Sequence, residues 1–143
     1  MPEIQDPYRA YNFKLVIKDI TEGHFTECSG MGIKVNVIRY REEGTQQVVR
    51  AIPGPVDYAD VTLRYGLTSS SQLWNWFMAV VRGEVQRKNV SIVMLDSEGV
   101  NEVIRWNLIN AWPSMWRGTP LDALTQELAI ESLTLAFDTL NRA

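Results

Sequence analysis

The chain has 143 residues, 45% hydrophobic and 22% charged, with a formal net charge of −3. That suits one globular domain with a proper core, and it lacks the basic face that nucleic-acid binding needs. Cys28 is the single cysteine, so no internal disulfide is available and nothing requires an oxidising compartment.

The opening residues 1–11 are polar, contain Pro2 and Pro7, and read as an extended arm. They lack the basic stretch and apolar run of a secretory signal, and no apolar run reaches the roughly 20 residues that span a bilayer. The expectation is a chain that folds in the cytosol without membrane anchoring. Phe13, Leu15 and Ile17 then alternate with Lys14 and Lys18, the period of a half-buried strand. A turn at residues 21–23 leads to a second short strand around Phe25 and Cys28. Gly30 and Gly32 mark a backbone bend after it.

Ile33, Val35 and Val37 fall on one strand face, with Lys34 and Asn36 on the other. Ile38 and Tyr40 then carry the apolar positions, which predicts a bulge near Val37 and Ile38. Residues 42–55 read as a protruding loop closed by Ile52, Pro53, Gly54 and Pro55. Longer ordered excursions of this kind tend to be functional, and mixed charge with apolar content suits contact with another protein. Val61, Leu63 and Tyr65 form another clean strand.

One helix is predicted next, capped by Ser69, Ser70 or Ser71 and stopped at Gly83. Its buried stripe is read as Leu73, Trp74, Phe77, Val80 and Val81. Three further strands follow: Val90, Ile92 and Met94; Ile104, Trp106 and Leu108, running on to Pro113; and residues 126–140, which include Leu128, Ile130, Leu133, Leu135 and Phe137. The sum is about seven strands and one helix with short, hairpin-type connections. This is a mainly β fold, an antiparallel sandwich or barrel flanked by a helix, in a single domain over residues 1–143.

No catalytic constellation emerges. His24 is the only histidine and reads as a solvated turn residue, so neither a zinc site nor a Cys–His pair is supported. Glu42 and Glu43 are adjacent on a strand-like segment and point to opposite faces, poorly placed to cooperate as acid and base. Asp57 and Asp60 are a second carboxylate pair without supporting partners. Gly30 and Gly32 lack the following helix that would cradle phosphate. Cys28 reads as a small core residue. No cofactor or metal is expected. Of the five tryptophans, Trp74 and Trp106 fit core patterns. Trp76, Trp112 and Trp116 lie off them and suggest burial at a partner surface, ahead of a sugar platform.

An ordered set of motifs then resembles the inner tube protein family of contractile phage tails and extracellular contractile injection systems, of the phage T4 tail tube type. The residues are Asp6-Pro7-Tyr8 and Asn12-Phe13; the run from Gly23 to Gly30, GHFTECSG; Tyr40-Arg41-Glu42 with Gly44; and Pro53-Gly54 leading into Val61-Thr62-Leu63 and Gly66. Leu73-Trp74 with Trp76, Asp96 with Gly99, Asn110-Ala111-Trp112-Pro113, Gly118, Leu121 and the string from Ala129 to Leu133 complete it. Departures are Met31, where the pattern has Leu, and Met115-Trp116, which replace a more basic segment.

The resemblance implies two packed β-sheets and a helix, assembled as hexameric rings around a lumen and stacked into a tube that a contracting sheath drives through an envelope. It implies a structural protein, not an enzyme. Its partners would be further copies of itself, a sheath protein, baseplate or initiator and terminator proteins, and effector or DNA cargo. Such a protein is made in the bacterial cytoplasm and assembled into a phage tail or injection particle. Candidate subunit and ring contacts are Tyr8, Arg41, Glu42, Glu43, Gln46, Gln47, Arg50, Pro53, Gly54, Trp112 and Trp116, with the 1–11 arm. Lys34, Asn36, Thr62 and Arg64 are lumen candidates by strand parity. Two alternatives stay open: a type VI secretion tube protein, and a small-molecule-binding β-barrel that uses its tryptophans.

Overall fold

The computed structural model describes residues 12–20, 25–41, 48–67, 71–124 and 129–143. The 1–11 arm with Tyr8, His24, Glu42, Glu43, Gln46, Gln47, Ser69, Ser70 and Leu128 lie outside them. Among the described residues nine strands and one helix run in the order β1 (Phe13–Ile17), β2 (Phe25–Ser29), β3 (Ile33–Arg41), β4 (Val49–Tyr58), β5 (Val61–Gly66), α1 (Gln72–Val81), β6 (Lys88–Leu95), β7 (Glu102–Arg117), β8 (Ile130–Ala136) and β9 (Thr139–Arg142). All pairings are antiparallel.

The long strand β7 makes two sheets out of one ladder. Its N-terminal half pairs with β6 on one side and β9 on the other, and β6 continues to β1. Its C-terminal half pairs with β8, which continues to β5 and β2. The change of sheet occurs at Asn110, where φ is 56°. The Asn110 side chain donates to Asp138 Oδ2 (2.9 Å), and the Asp138 amide donates to the Ile109 carbonyl (2.9 Å). The bend in β7 is thereby tied to the break between β8 and β9. That break divides what the sequence presents as one strand over 126–140, with Phe137 and Asp138 at the joint.

Between the sheets lies the core. Ile17, Val90, Ile92 and Leu108 come from one sheet and Val61, Leu63, Tyr65, Leu133 and Leu135 from the other; all are buried. Each fully buried Leu or Val contributes about 1.5–3 kcal/mol relative to exposure. Leu73 and Trp76 of α1 close one side. Ser71 occupies the N-cap position but makes no side-chain cap bond. The C-terminus is better closed: the Glu84 amide bonds the Ala79 carbonyl and the Gly83 amide the Val80 carbonyl, the paired pattern of a Schellman stop.

The helix stripe differs from the sequence expectation. Leu73, Trp76 and Ala79 are buried, whereas Trp74 is 39% and Val81 62% exposed. Trp76 is accommodated because its indole N–H donates to the Gln86 carbonyl just past the helix end (2.7 Å). A buried indole needs that partner, and the chain's return after Gly83 supplies it.

Candidate assembly surfaces

The expected loop over residues 42–55 is in large part a strand. β4 begins at Val49 and pairs with β3 from Arg41↔Val49 to Ile33↔Tyr58, making a hairpin separate from the other seven strands. Pro53, Gly54 and Pro55 lie inside β4 and do not end it. Proline cannot donate to a ladder, but both strands of an isolated pair are edges, where proline is tolerated.

The register also relocates the bulge. Val35 faces Val56 and Val37 faces Pro53, so two steps along β3 meet three along β4. The extra residue therefore sits on β4 near Gly54 and Pro55, and β3 keeps strict alternation through Val37 and Ile38. Asn36 clips the bulge by donating to the Pro55 carbonyl (3.2 Å) and to Asp57 Oδ2 (2.6 Å). A Cβ on Gly54 would stand 2.8 Å from the Asn36 carbonyl oxygen, which fixes glycine there.

With β3 unbroken, the hairpin changes its apolar face halfway along. Ile33, Val35, Val37, Val49 and Val56 share one face; Ile38, Tyr40 and Ile52 share the other. Every one of these eight side chains is more than 40% exposed. Arg39 and Arg41 join the first face near the tip, and Arg50 faces the second beside Tyr40. The hairpin meets the body at its base, where the Tyr58 ring lies 5.9 Å from that of Phe137.

This hairpin is the outward continuation of β2 and β5. Three residues join β2 to β3 and two join β4 to β5. At the crossing Gly30 has φ 92°, and a Cβ there would lie 2.5 Å from the Asp60 carbonyl oxygen, so only glycine fits.

The sheet of β2, β5, β8 and β7 turns a polar face outward. Cross-strand register places Glu27, Arg64, Ser132 and Arg117 in one row and Ser29, Thr62, Thr134 and Met115 in the next. Arg64 pairs with Glu27 at 3.4 Å, and the Thr62 and Thr134 hydroxyls are 3.2 Å apart. Of the sequence-derived lumen candidates, Thr62 and Arg64 therefore sit together on this face. Lys34 and Asn36 lie apart, on the base of the hairpin opposite Asp57 and the bulge. Ser29, Ser132 and Thr134 escaped notice because only strand register brings them beside Thr62.

Trp112 and Trp116 are both half-buried on β7. Trp116 packs on the core and donates to Glu131 Oε2 (3.1 Å), which also accepts from the Tyr65 hydroxyl (3.2 Å). Its ring meets Trp74 edge-on, with centroids 4.9 Å apart. Cys28 is half-buried beside the core, and burial, with Glu27 adding to it, pushes its thiol up to about 11. Among the described residues no group of three or more His, Cys, Asp or Glu is placed to hold a metal ion.

The fold has close structural relatives. It superimposes on the tube-terminating cap of the anti-feeding prophage with a TM-score of 0.90 and 27% identity, covering 100% of this chain and 95% of that one. A chain of the sheath–tube complex of the extracellular contractile injection system PVC gives 0.87 and 25%, covering 98% and 93%. A type six secretion system protein gives 0.58 at 10% identity over 93% and 83%, a likeness of fold alone. No curated protein sequence matches the chain. The model of the T4-like virus tail tube protein gp19 matches residues 9–141, nearly the whole length. The chain belongs to that tail tube family, as its ordered motifs imply.

Proposed function

We propose that the protein is a structural subunit of the rigid inner tube of a contractile injection particle and carries no catalytic activity. Copies join head to tail into hexameric rings, and the rings stack around an open channel. A heterologous interface whose rotation closes gives a ring of this kind. The observation that carries this reading is the β3–β4 hairpin, which exposes large aliphatic side chains on both faces outside the core. A monomer seldom leaves so much contiguous apolar surface uncovered, and family membership supplies copies of itself as the cover.

On this reading the contacts divide by direction. The edges of the sheets face sideways, and among the described residues no strand pairs with the outer side of β1 or β2. Unpaired edges recruit other strands, which here serves lateral joining. The hairpin projects along the strands, roughly 27 Å at the usual rise, and so reaches toward an adjacent ring. Arg41, Arg50, Pro53 and Gly54 ride on it; Tyr8, Glu42, Glu43, Gln46 and Gln47 remain contact candidates from the sequence. Trp112 and Trp116 are contact candidates only through their half-exposed edges. A sheath, a baseplate and a terminating cap are the expected partners, supported by the particles from which the similar structures come. Effector protein or DNA is the expected cargo.

Negative-stain electron microscopy of the purified protein, alone and with a nucleating baseplate, tests this. Rings or stacked tubes with an open centre are expected; isolated particles under both conditions would rule it out.

A further inference from the structure

The end of the molecule remote from the hairpin also leaves apolar side chains bare. β2 starts there and β5 ends there, so Phe25 and Gly66 mark its rim, with Ile130 and Arg117 beside them. Past the rim the chain leaves β7 through residues 118–124, which are tied back where the Ile130 amide donates to Thr119 Oγ1 (3.2 Å). Leu121 and Leu124 on this segment are 87% and 93% exposed, more than any other large apolar side chain among the described residues. Leu67, next to Gly66, is a third exposed leucine. A groove of about 1130 Å³ separates the segment from the sheet, with Thr26, Glu27 and Arg64 on one wall and Pro120, Leu121 and Asp122 on the other. Pockets for small molecules usually span roughly 300–1,000 Å³, so this one suits a length of polypeptide better.

Three features match the groove to the β3–β4 hairpin of another copy. The first is place. The hairpin continues β2 and β5 at their other end, so a copy shifted along the strands brings its hairpin to this rim. The second is apolar surface. Ile38, Tyr40 and Ile52 share one face of the hairpin toward its tip and are as bare as the leucines they would meet. The third is charge. Arg39, Arg41 and Arg50 stand near the tip, whereas the described groove residues set Glu27 and Asp122 against Arg64. Opposite charge of this kind fixes the register of a contact more than it adds affinity.

A terminal subunit needs this fit at one end only. The similar structures include a chain of a sheath–tube complex and a tube-terminating cap, so the fold alone does not tell a repeating subunit from a terminal one. Two uncovered apolar ends do, since a monomer seldom leaves such patches without a partner. We propose that this chain is a repeating subunit that stacks on itself without limit, the groove beside Leu121 and Leu124 of one copy receiving the hairpin of the next. This rests on the tube reading above. A head-to-tail contact that does not close extends indefinitely, so the chain itself sets no length.

Two double variants, assembled separately and viewed in negative stain, test the contact. Leu121→Lys with Leu124→Lys spoils the lip of the groove; Ile38→Lys with Ile52→Glu spoils the hairpin while setting opposite charges across its ladder. Each alone is expected to give single rings where the parent gives long stacks. Mixed after assembly, they are expected to give pairs of rings and nothing longer, since each supplies one intact surface. Stacks from the Leu121→Lys, Leu124→Lys rings alone would overturn the proposal, as would a mixture that holds only single rings or a parent that stops at one or two rings. Where a variant forms no rings, crosslinking decides. Ile38→Cys and Leu121→Cys together, in a Cys28→Ser background treated with a bifunctional maleimide, are expected to link copies within stacks, and either cysteine alone is not. Absence of that link would likewise overturn the proposal. Failure of the parent chain to form any ring would instead overturn the tube reading, and this contact with it.

Discussion

At the residue scale, single polar side chains hold the irregular points of this β fold. Asn36 satisfies the carbonyl that the β4 bulge leaves over, Asn110 ties the bend in β7 to Asp138, and Asp96 organises the β6–β7 turn. Asp96 Oδ1 accepts the amides of Val100 and Asn101, and Oδ2 accepts the Asn101 side chain. The Val100 amide above all holds its carboxyl below the ordinary value of 3.8. A carboxylate depressed by folding contributes stability that is complete above its unfolded value and disappears as pH falls through its folded one. Thermal midpoints across an acid series should therefore fall less steeply for Asp96→Ala than for the wild type below about pH 4. Parallel slopes would show that the turn carboxylate adds nothing. The sequence marks this turn through Asp96 and Gly99. It does not reveal what Asn36 does, because its acceptor exists only once the register of β3 against β4 is set.

At the scale of elements, alternation exposed most strands and misled at two places. Val61, Leu63 and Tyr65 are buried as their spacing implies, since one face of β5 lies on the core. β4 was hidden because its prolines and glycine read as a stop; a freestanding pair has no further ladder for them to interrupt. The shift of apolar positions at Ile38 reads as a bulge in β3, yet it marks a genuine change of the face the strand offers. In α1 the apolar residues are dense enough that two stripes fit the same sequence, and the acceptor at Gln86 decides for Trp76. Truncation separates the two tryptophans. Trp76→Ala should cost about 3–5 kcal/mol, as a buried aromatic removed from a core does. Trp74→Ala should cost only about 0.5–1.5 kcal/mol, the worth of its edge-on contact with Trp116. Urea unfolding of both variants would settle the order, and equal losses would contradict it.

On the scale of the whole molecule, the fold class was legible and the candidate surfaces for assembly less so. Motif order pointed to the family, while the contact residues it suggested gathered around a loop that proves to be half strand. Val35 and Val37 do not stand out in the sequence because alternation puts them on the apolar face of an ordinary strand, and only the structure shows that no core extends beneath the hairpin, where Val56 faces Val35. Their exposure makes a separable prediction. The double change Val35→Lys and Val56→Glu, which sets opposite charges directly across the ladder, should leave the thermal midpoint of the subunit nearly unchanged, since surface substitutions usually stay within about 0.5 kcal/mol. The same change should abolish ring stacking in negative stain. A variant that still forms tubes would remove the base of the hairpin from the contact.

The crossing at Gly30 and Asp60 also decides how thrust travels. β4 runs into β5 through Ala59 and Asp60, and β5 is flanked by β2 and β8. A push along the hairpin therefore loads two full ladders lengthwise, so their bonds share the load together and are not peeled one by one. Such an object is stiff along its strands and weak across them.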